Sequence, residues 1–253
     1  MRIRLLRHAT LVIETAGRRL LVDPLLGPAG SQPPIPETPN PRPNPLVALP
    51  VEPQDAVAGI SATLVTHLHP DHFDQAAVGV IPHDRPVLCQ PRDHQMLGRA
   101  GLPAQVVGEP LDLDGVRIAR TGGRHGTGAI GAEMGDVSGF VIAADGEPTL
   151  YLAGDTIWCE EVASAISAHS PDVIVVNAGA ARFVHGDPIT MDVGDVVATC
   201  NAAPDALVVA EHMEAINHCL LTRDALRAGV AAAGLDGRVL TPADGETLEL
   251  SFG

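Results

Sequence analysis

The 253-residue chain contains no lysine; all 16 of its basic residues are arginine. Without a lysine amine there is no Schiff-base chemistry, no P-loop phosphate grip and no pyridoxal-phosphate attachment. Aromatic residues are almost as scarce: Trp158, Tyr151 and four phenylalanines make up 2% of the chain. Platforms on which bases or sugars stack are therefore few. Positive charge is outweighed too, since 31 acidic residues leave a formal net charge of −15. That balance repels polyanions, so no nucleic-acid partner is expected. No apolar run reaches the roughly 18 residues of a membrane span, and Arg2, Arg4 and Arg7 interrupt the segment from Met1 to His8. Neither a signal peptide nor a membrane partner is expected, which reads as a cytoplasmic protein. Cys89, Cys159, Cys200 and Cys219 form no C-x-x-C pair. They read as reduced thiols rather than a disulfide scaffold.

What the chain does have is apolar residues, 45% of the total. That is enough for one layered α/β domain over residues 1–253. Strand-like runs open it at Arg2–Leu6, Leu11–Thr15 and Leu20–Asp23, with Ala16-Gly17 as a turn. The segment from Gly27 to Pro50 then carries nine prolines in 24 residues. Proline fixes φ and donates no backbone hydrogen bond, so this stretch cannot be a helix or a central strand. It is expected to be an extended surface loop, or a lid over an active site. Further on, a buried strand is predicted over Ala62–Thr66, a helix from Asp71 to about Val80, and another from Pro91 or Asp93 to Gly101. Asp114-Gly115 and Asp145-Gly146 mark two hairpins. The rest alternates: helix 158–168, strand 172–176, helix 191–200, strand 206–210, and a helix capped by Thr222 that stops at Gly234. Hairpins followed by β–α alternation predict two sheets packed with helices.

The densest chemistry lies in Thr66-His67-Leu68-His69-Pro70-Asp71-His72-Phe73-Asp74. Four candidate ligands fall within six residues, directly after an apolar strand. In an extended segment His67 and His69 project to the same side. Pro70 breaks the run, so Asp71 and His72 sit near the first turn of the next helix and face elsewhere. Two neighbouring ions suit that divergence better than one, and imidazole with carboxylate suits Zn²⁺, Fe²⁺ or Mn²⁺. Three distant residues are placed alike, each where a strand emerges: His125 in a glycine-rich loop, Asp155 in Gly154-Asp155-Thr156, and His212 after Leu207–Ala210. A strand end is a rigid platform for a ligand.

This order of motifs, spanning about residues 2–245, resembles the metallo-β-lactamase-fold hydrolase superfamily. His8-Ala9 before Leu11–Glu14, and Leu21-Val22-Asp23-Pro24, resemble its branch containing ascorbate-6-phosphate lactonase. The resemblance implies a four-layer αβ/βα sandwich with two divalent metal ions at one edge. It assigns His67, His69 and His125 to the first ion, Asp71, His72 and His212 to the second, and Asp155 to both. His218 is an alternative to His212, and Cys219 lies beside it, as penicillin-cleaving members bind one metal through a cysteine. The basic arm of tRNA-processing members is missing.

Two divalent ions, two carboxylates and a bridging hydroxide leave a site of about +1. Such a site prefers an electron-rich oxygen in a small ester, lactone or phosphodiester. Metal coordination lowers the pKa of water to roughly 7, so hydroxide is available at neutral pH. Asp71 is expected to orient that water, and His185 to donate a proton to the leaving group. His8, Arg182 and His218 are candidate substrate contacts, Arg182 through an anion. A small-molecule substrate is the expected partner, and the sequence leaves a homo-oligomer open. Iron-dependent redox chemistry on the same scaffold, or a non-catalytic metal-binding protein, are the competing readings.

Overall fold

In the computed structural model, which describes residues 1–251, two seven-stranded sheets lie face to face. The first holds β1 (Arg2–Arg7), β2 (Thr10–Thr15), β3 (Arg18–Val22), β4 (Ala62–Val65), β5 (Val87–Cys89) and β6 (Ala104–Val106). The second holds β7 (Leu111–Leu113), β8 (Val116–Thr121), β9 (Gly139–Ala144), β10 (Leu150–Leu152), β11 (Val173–Asn177), β12 (Leu207–Glu211) and β13 (Val239–Leu240). The last strand, β14 (Thr247–Glu249), returns to pair with β1 in the first sheet. Strand order is β14-β1-β2-β3-β4-β5-β6 in one sheet and β13-β12-β11-β10-β9-β8-β7 in the other. Each sheet is mixed: β3 to β6 and β10 to β13 run parallel, and the hairpins supply the antiparallel pairs.

Alternation along each strand decides which face it buries. On β12, Val209 joins the core between the sheets, while Val208 and Ala210 face the helices outside. The inner core joins Leu5, Ile13, Leu20 and Leu64 of one sheet to Phe140, Ile142, Leu152 and Val175 of the other. Each such aliphatic or aromatic side chain contributes roughly 1.5–3 kcal/mol on leaving water. Outside the first sheet lie α1 (Pro53–Ala56), α2 (Gln75–Val80) and α3 (His94–Arg99). Between β8 and β9 comes α4 (Gly128–Met134), and outside the second sheet lie α5 (Glu160–His169), α6 (Val193–Ala202) and α7 (Arg223–Ala232). The result is the expected four-layer α/β sandwich. Among the described residues, no helix is long and apolar enough to cross a membrane.

Two expectations need correction. The helix predicted from Asp71 begins only at Gln75, because the Asp74 carboxylate accepts from Ala77 N and caps it there. Asp71 and His72 therefore sit in the preceding turn, closed by His72 N and Phe73 N donating to His69 O. The glycine-rich run after His125 also hides a helix, α4, with glycine at two of its seven positions and a third, Gly135, at its C-cap. The proline-rich segment forms no helix, and only a Gln32–Asn44 bridge relates it to strand pairing. It is nevertheless fastened at both ends. Buried Arg7 donates to the carbonyls of Leu25, Gly27 and Val47, and Gly27 N donates to Asp74. Near the other end Leu46 N donates to Ala215 O. Asn217, fully buried, accepts from Ile35 N and Asn44 Nδ2 and donates to Ile35 O, Thr38 Oγ1 and Asn40 O.

Candidate metal centre

Every residue of the expected ligand set reaches one end of the sandwich. β4 leads into His67 and His69, β8 into His125, β10 into Asp155, and β12 directly into His212. The β1–β2 turn adds His8, and the end of β3 adds Asp23. Three of these residues hold left-handed backbone: His8 at φ 61°, Asp23 at φ 41° and His212 at φ 65°. A non-glycine residue there costs on the order of 1 kcal/mol or more, and such strain gathers at functional sites. His212 N donates to His8 O at 3.0 Å, and the two rings stack with centroids 3.6 Å apart. One strained histidine from each sheet thus fastens the two turns together.

The side chains sort into overlapping groups able to hold a cation. His67, His69 and His125 form one; His8, Asp71, His72 and His212 form another; Asp155 completes a third with His67 and His72. Asp155 Oδ2 lies 3.3 Å from the Nε2 atoms of both His72 and His125 and 3.9 Å from that of His67, while its Oδ1 lies 3.2 Å from His212 Nε2. Asp71 Oδ2 lies 3.3 Å from His8 Nε2, 3.7 Å from His212 Nε2 and 3.9 Å from His218 Nε2. His67 Nε2 and His69 Nδ1 are 2.9 Å apart, so these two do face the same way.

The outer nitrogens of the rings show why this cluster fits a metal. His125 Nδ1 donates to Ile189 O at 2.8 Å, and His72 Nδ1 to Asp23 at 2.8 Å. Thr66 Oγ1, itself donating to Asp23, accepts from His67 Nδ1. Those hydrogen bonds assign each ring the tautomer whose Nε2 lone pair points inward. His72 Nε2 and His212 Nε2 stand 3.1 Å apart. Two buried lone pairs at that distance repel unless a positive charge lies between them.

The electrostatics agree. Burial pushes His67, His69, His212 and His218 below the ordinary imidazole range, and takes His8 down to about 4. Neutral imidazole is the form that binds metal. Burial opposes charge on His72 as well, but the Asp155 and Asp23 carboxylates overcome it and hold this one ring well above the usual value. Asp71 and Asp155 stay well below the carboxylate range despite burial. The His8 hydrogen bond is the main cause for Asp71, and His212 and His72 are for Asp155.

The beta-lactamase superfamily domain matches residues 18–213. The chain belongs to that superfamily. A Bacillus subtilis relative, UPF0173 protein YddR, is 35% identical over 98% of this chain and 99% of its own. A UPF0173 metal-dependent hydrolase of Azorhizobium caulinodans is 28% identical over 99% of this chain and 100% of its own. Among solved structures, an isothiocyanate hydrolase from Delia radicum gut bacteria superimposes with a TM-score of 0.94 at 35% identity, each chain covered completely. A protein from Veillonella parvula, described as a possible metal-dependent hydrolase, gives 0.95 at 32% identity over 99% of both chains. This chain is thus a metal-dependent hydrolase of the metallo-β-lactamase fold.

The remaining candidates fall differently. His218 is buried, with Nε2 facing Asp71. His8, expected as a substrate contact, lies within the Asp71–His72–His212 group. Arg182 lies exposed on the surface and is tied to the site only by its backbone, Arg182 N donating to His218 O at 3.1 Å. His185 is exposed and lines a cavity beside α4, outside the His/Asp cluster. Sequence reasoning passed over several supports: Asp23 and Thr66 behind His72 and His67, Asn177 donating to Asp155 at 2.6 Å, and buried Glu211 just before His212. Asp23 did carry a signal, an aspartate closing an apolar strand run in Leu21-Val22-Asp23-Pro24.

Proposed function

We propose that this hydrolase is dinuclear and cleaves a small electrophile: an ester, a lactone, a phosphodiester, or an isothiocyanate as in the Delia radicum gut bacterial relative. One observation carries the reading. The group His67–His69–His125 and the group Asp71–His72–His212 are distinct, yet Asp155 lies within 3.2–3.9 Å of histidine nitrogens in both. All-imidazole and carboxylate donors favour zinc, with manganese or iron as substitutes. When bound, such ions supply Lewis acidity toward the electrophile and acidify water to a pKa of roughly 7.

The chain's own groups do the rest. Asp71, kept ionised beside His8, is the acceptor for the proton that water loses as its oxygen bonds to the electrophilic carbon or phosphorus. With an ester, lactone or phosphodiester that proton passes on to the leaving oxygen as its bond breaks. With an isothiocyanate the oxygen adds as the C=N π bond opens and the proton goes to nitrogen; the thiocarbamic acid so formed splits into amine and carbonyl sulfide. His218, buried and neutral beside Asp71, is placed to contact substrate there. A small molecule is the partner we assign, and nucleic acid is not.

Metal analysis of protein purified without chelator, and again after reconstitution with zinc or manganese, tests the dinuclear reading. About two ions per chain are expected. A stoichiometry near zero after reconstitution would overturn it, and a value near one would remove the second site.

A further inference from the structure

Glu211 is a misfit in the layer beneath the metal centre. It closes β12, one residue before His212, and is 1% exposed. Among the described residues it is the one buried acid with no hydrogen-bond partner on either carboxylate oxygen. The other buried acids are all served: Asp23 by Thr66 and His72, Asp71 by His8, Asp93 by Gln90, and Asp155 by Asn177. Buried Arg7 is served too, by carbonyls at the two ends of the proline-rich strap. Burying a carboxyl without a partner is costly, and such a group marks a bound water or a functional role.

The strand beside it carries a second unanswered acceptor. β11 and β12 run parallel, with Asn177 opposite Glu211 in the register. Val175 and Val209, two residues earlier on each strand, face the core between the sheets. Alternation therefore turns Asn177 and Glu211 the same way, on strands about 4.8 Å apart. Asn177 is also 1% exposed; its Nδ2 donates to Asp155 Oδ1 at 2.6 Å, yet its Oδ1 has no partner. One end of this amide thus grips the carboxylate that lies between the two donor groups. The other end presents an acceptor beside the two acceptors of Glu211. A buried water answers such a set, because it donates twice and links the groups that receive it.

We propose that Glu211 is a positioning residue for Asp155, joined to Asn177 Oδ1 by an internal water. An amide held only at Nδ2 can still swivel; held at both ends it cannot. The bridge fixes the plane of the Asn177 amide, and with it the direction of the hydrogen bond to Asp155. Asp155 then keeps Oδ2 aimed at His72 and His125 and Oδ1 aimed at His212. A carboxylate free to rotate would favour one donor group at the expense of the other. The inference rests on the centre binding metal, and it goes beyond the dinuclear reading by naming what holds the shared carboxylate still.

The test separates reach from charge. Glu211→Gln keeps the side chain's length and drops its charge; Glu211→Asp keeps the charge and withdraws the carboxyl by one methylene. Zinc-loaded protein is titrated with a competing chelator, its melting temperature is measured alongside, and a high-resolution structure of the loaded wild type locates the water. Density is expected within about 3.2 Å of both Asn177 Oδ1 and the Glu211 carboxyl. Glu211→Gln should hold zinc within about threefold of wild type, the size of a weak net hydrogen bond. Glu211→Asp should hold it about 10–100-fold more weakly, as when an outer partner of a ligand is lost. Beside Asn177→Leu, the Glu211→Asp change should add less than about twofold, because the bridge has already gone. Four results would overturn the inference and leave the dinuclear reading standing. The glutamine variant could be as weak as the aspartate one, which would make charge the operative feature. The aspartate variant could melt lower with unchanged zinc affinity, which would make Glu211 structural only. Its full loss could persist beside Asn177→Leu, or the loaded structure could hold no water between the two groups; either would break the link through Asn177. Wild-type protein that takes up no zinc would sink both.

Discussion

The two donor groups of the centre are built differently. His67, His69 and His125 are three imidazoles on loops from both sheets, and His69 is half-buried. The group His8, Asp71, His72 and His212 is wholly buried, includes a carboxylate, and has two members in left-handed backbone. The first group follows from ordinary extended chain after a strand; the second needs strained turns, a histidine stack and a fastened strap around it. Chemistry that can be read from spacing alone is thus cheap in backbone terms. The part that needs strain is held by partners far away in sequence. A cation held by the second group would have the drier environment, and one held by the first would be nearer to solvent.

The sharpest way to break the distinction is at the residue the groups share. Asp155→Ala removes the carboxylate that lies between them and leaves the histidines facing each other. Metal content should fall from about two ions to less than one, and activity on the order of 10³-fold, the scale of leaving a buried charge network without its partner. Retention of two ions with slowed turnover would show that the groups are independent.

Much of this asymmetry was visible before any coordinates. H-x-H after an apolar strand needs only the two-residue alternation of extended chain, so His67 and His69 converge by local rules. His125, Asp155 and His212 were legible as strand-end residues for the same reason. The limits of α2 were not, since the Asp74 cap acts on one hydrogen bond. α4 was invisible because its glycines argue against a helix, and contacts from Gly186 and Ile189 hold it. His8 could be noted near the ligands but not placed, because its position depends on a stack with a ring 204 residues away. Asn217 gave no signal at all: it reads as a loop residue, and its partners lie some 180 residues earlier.

Next in size are substitutions within a single group. His69→Ala should cost the first ion and His8→Ala should weaken only the second, each leaving a stoichiometry of about one by metal analysis. The affinity loss for His8→Ala should be about 10–100-fold, because Asp71, His72 and His212 remain. Equal loss of both ions in either variant would mean that the groups fill only together.

Asn217→Ala tests whether the strap supports the buried group in particular. It strips Ile35, Thr38, Asn40 and Asn44 of a common partner. Buried polar groups left without partners cost about 1–3 kcal/mol each, and partial relaxation makes about 2–3 kcal/mol a fair total. The melting temperature should drop by roughly 5–10 °C for a chain of this size. Since Asn217 sits between His212 and His218, the second ion should loosen while the first stays.

The smallest effect is expected where the outer support is chemically weakest. His72, His67 and His125 lean on Asp23, Thr66 and a main-chain carbonyl, all oxygen acceptors, whereas His212 Nδ1 meets only Cys219 Sγ at 3.4 Å. Sulfur is a weak acceptor, so removing it forfeits little. Cys219→Ala should therefore lower affinity for the second ion by less than the 10–100-fold typical of lost outer partners. Thr66→Val, which takes the oxygen from His67, should reach that range for the first ion. Zinc titration of both variants against a competing chelator decides the order. If the cysteine variant lost more than the threonine one, His212 would be oriented through its thiol contact rather than by the left-handed turn and the His8 stack.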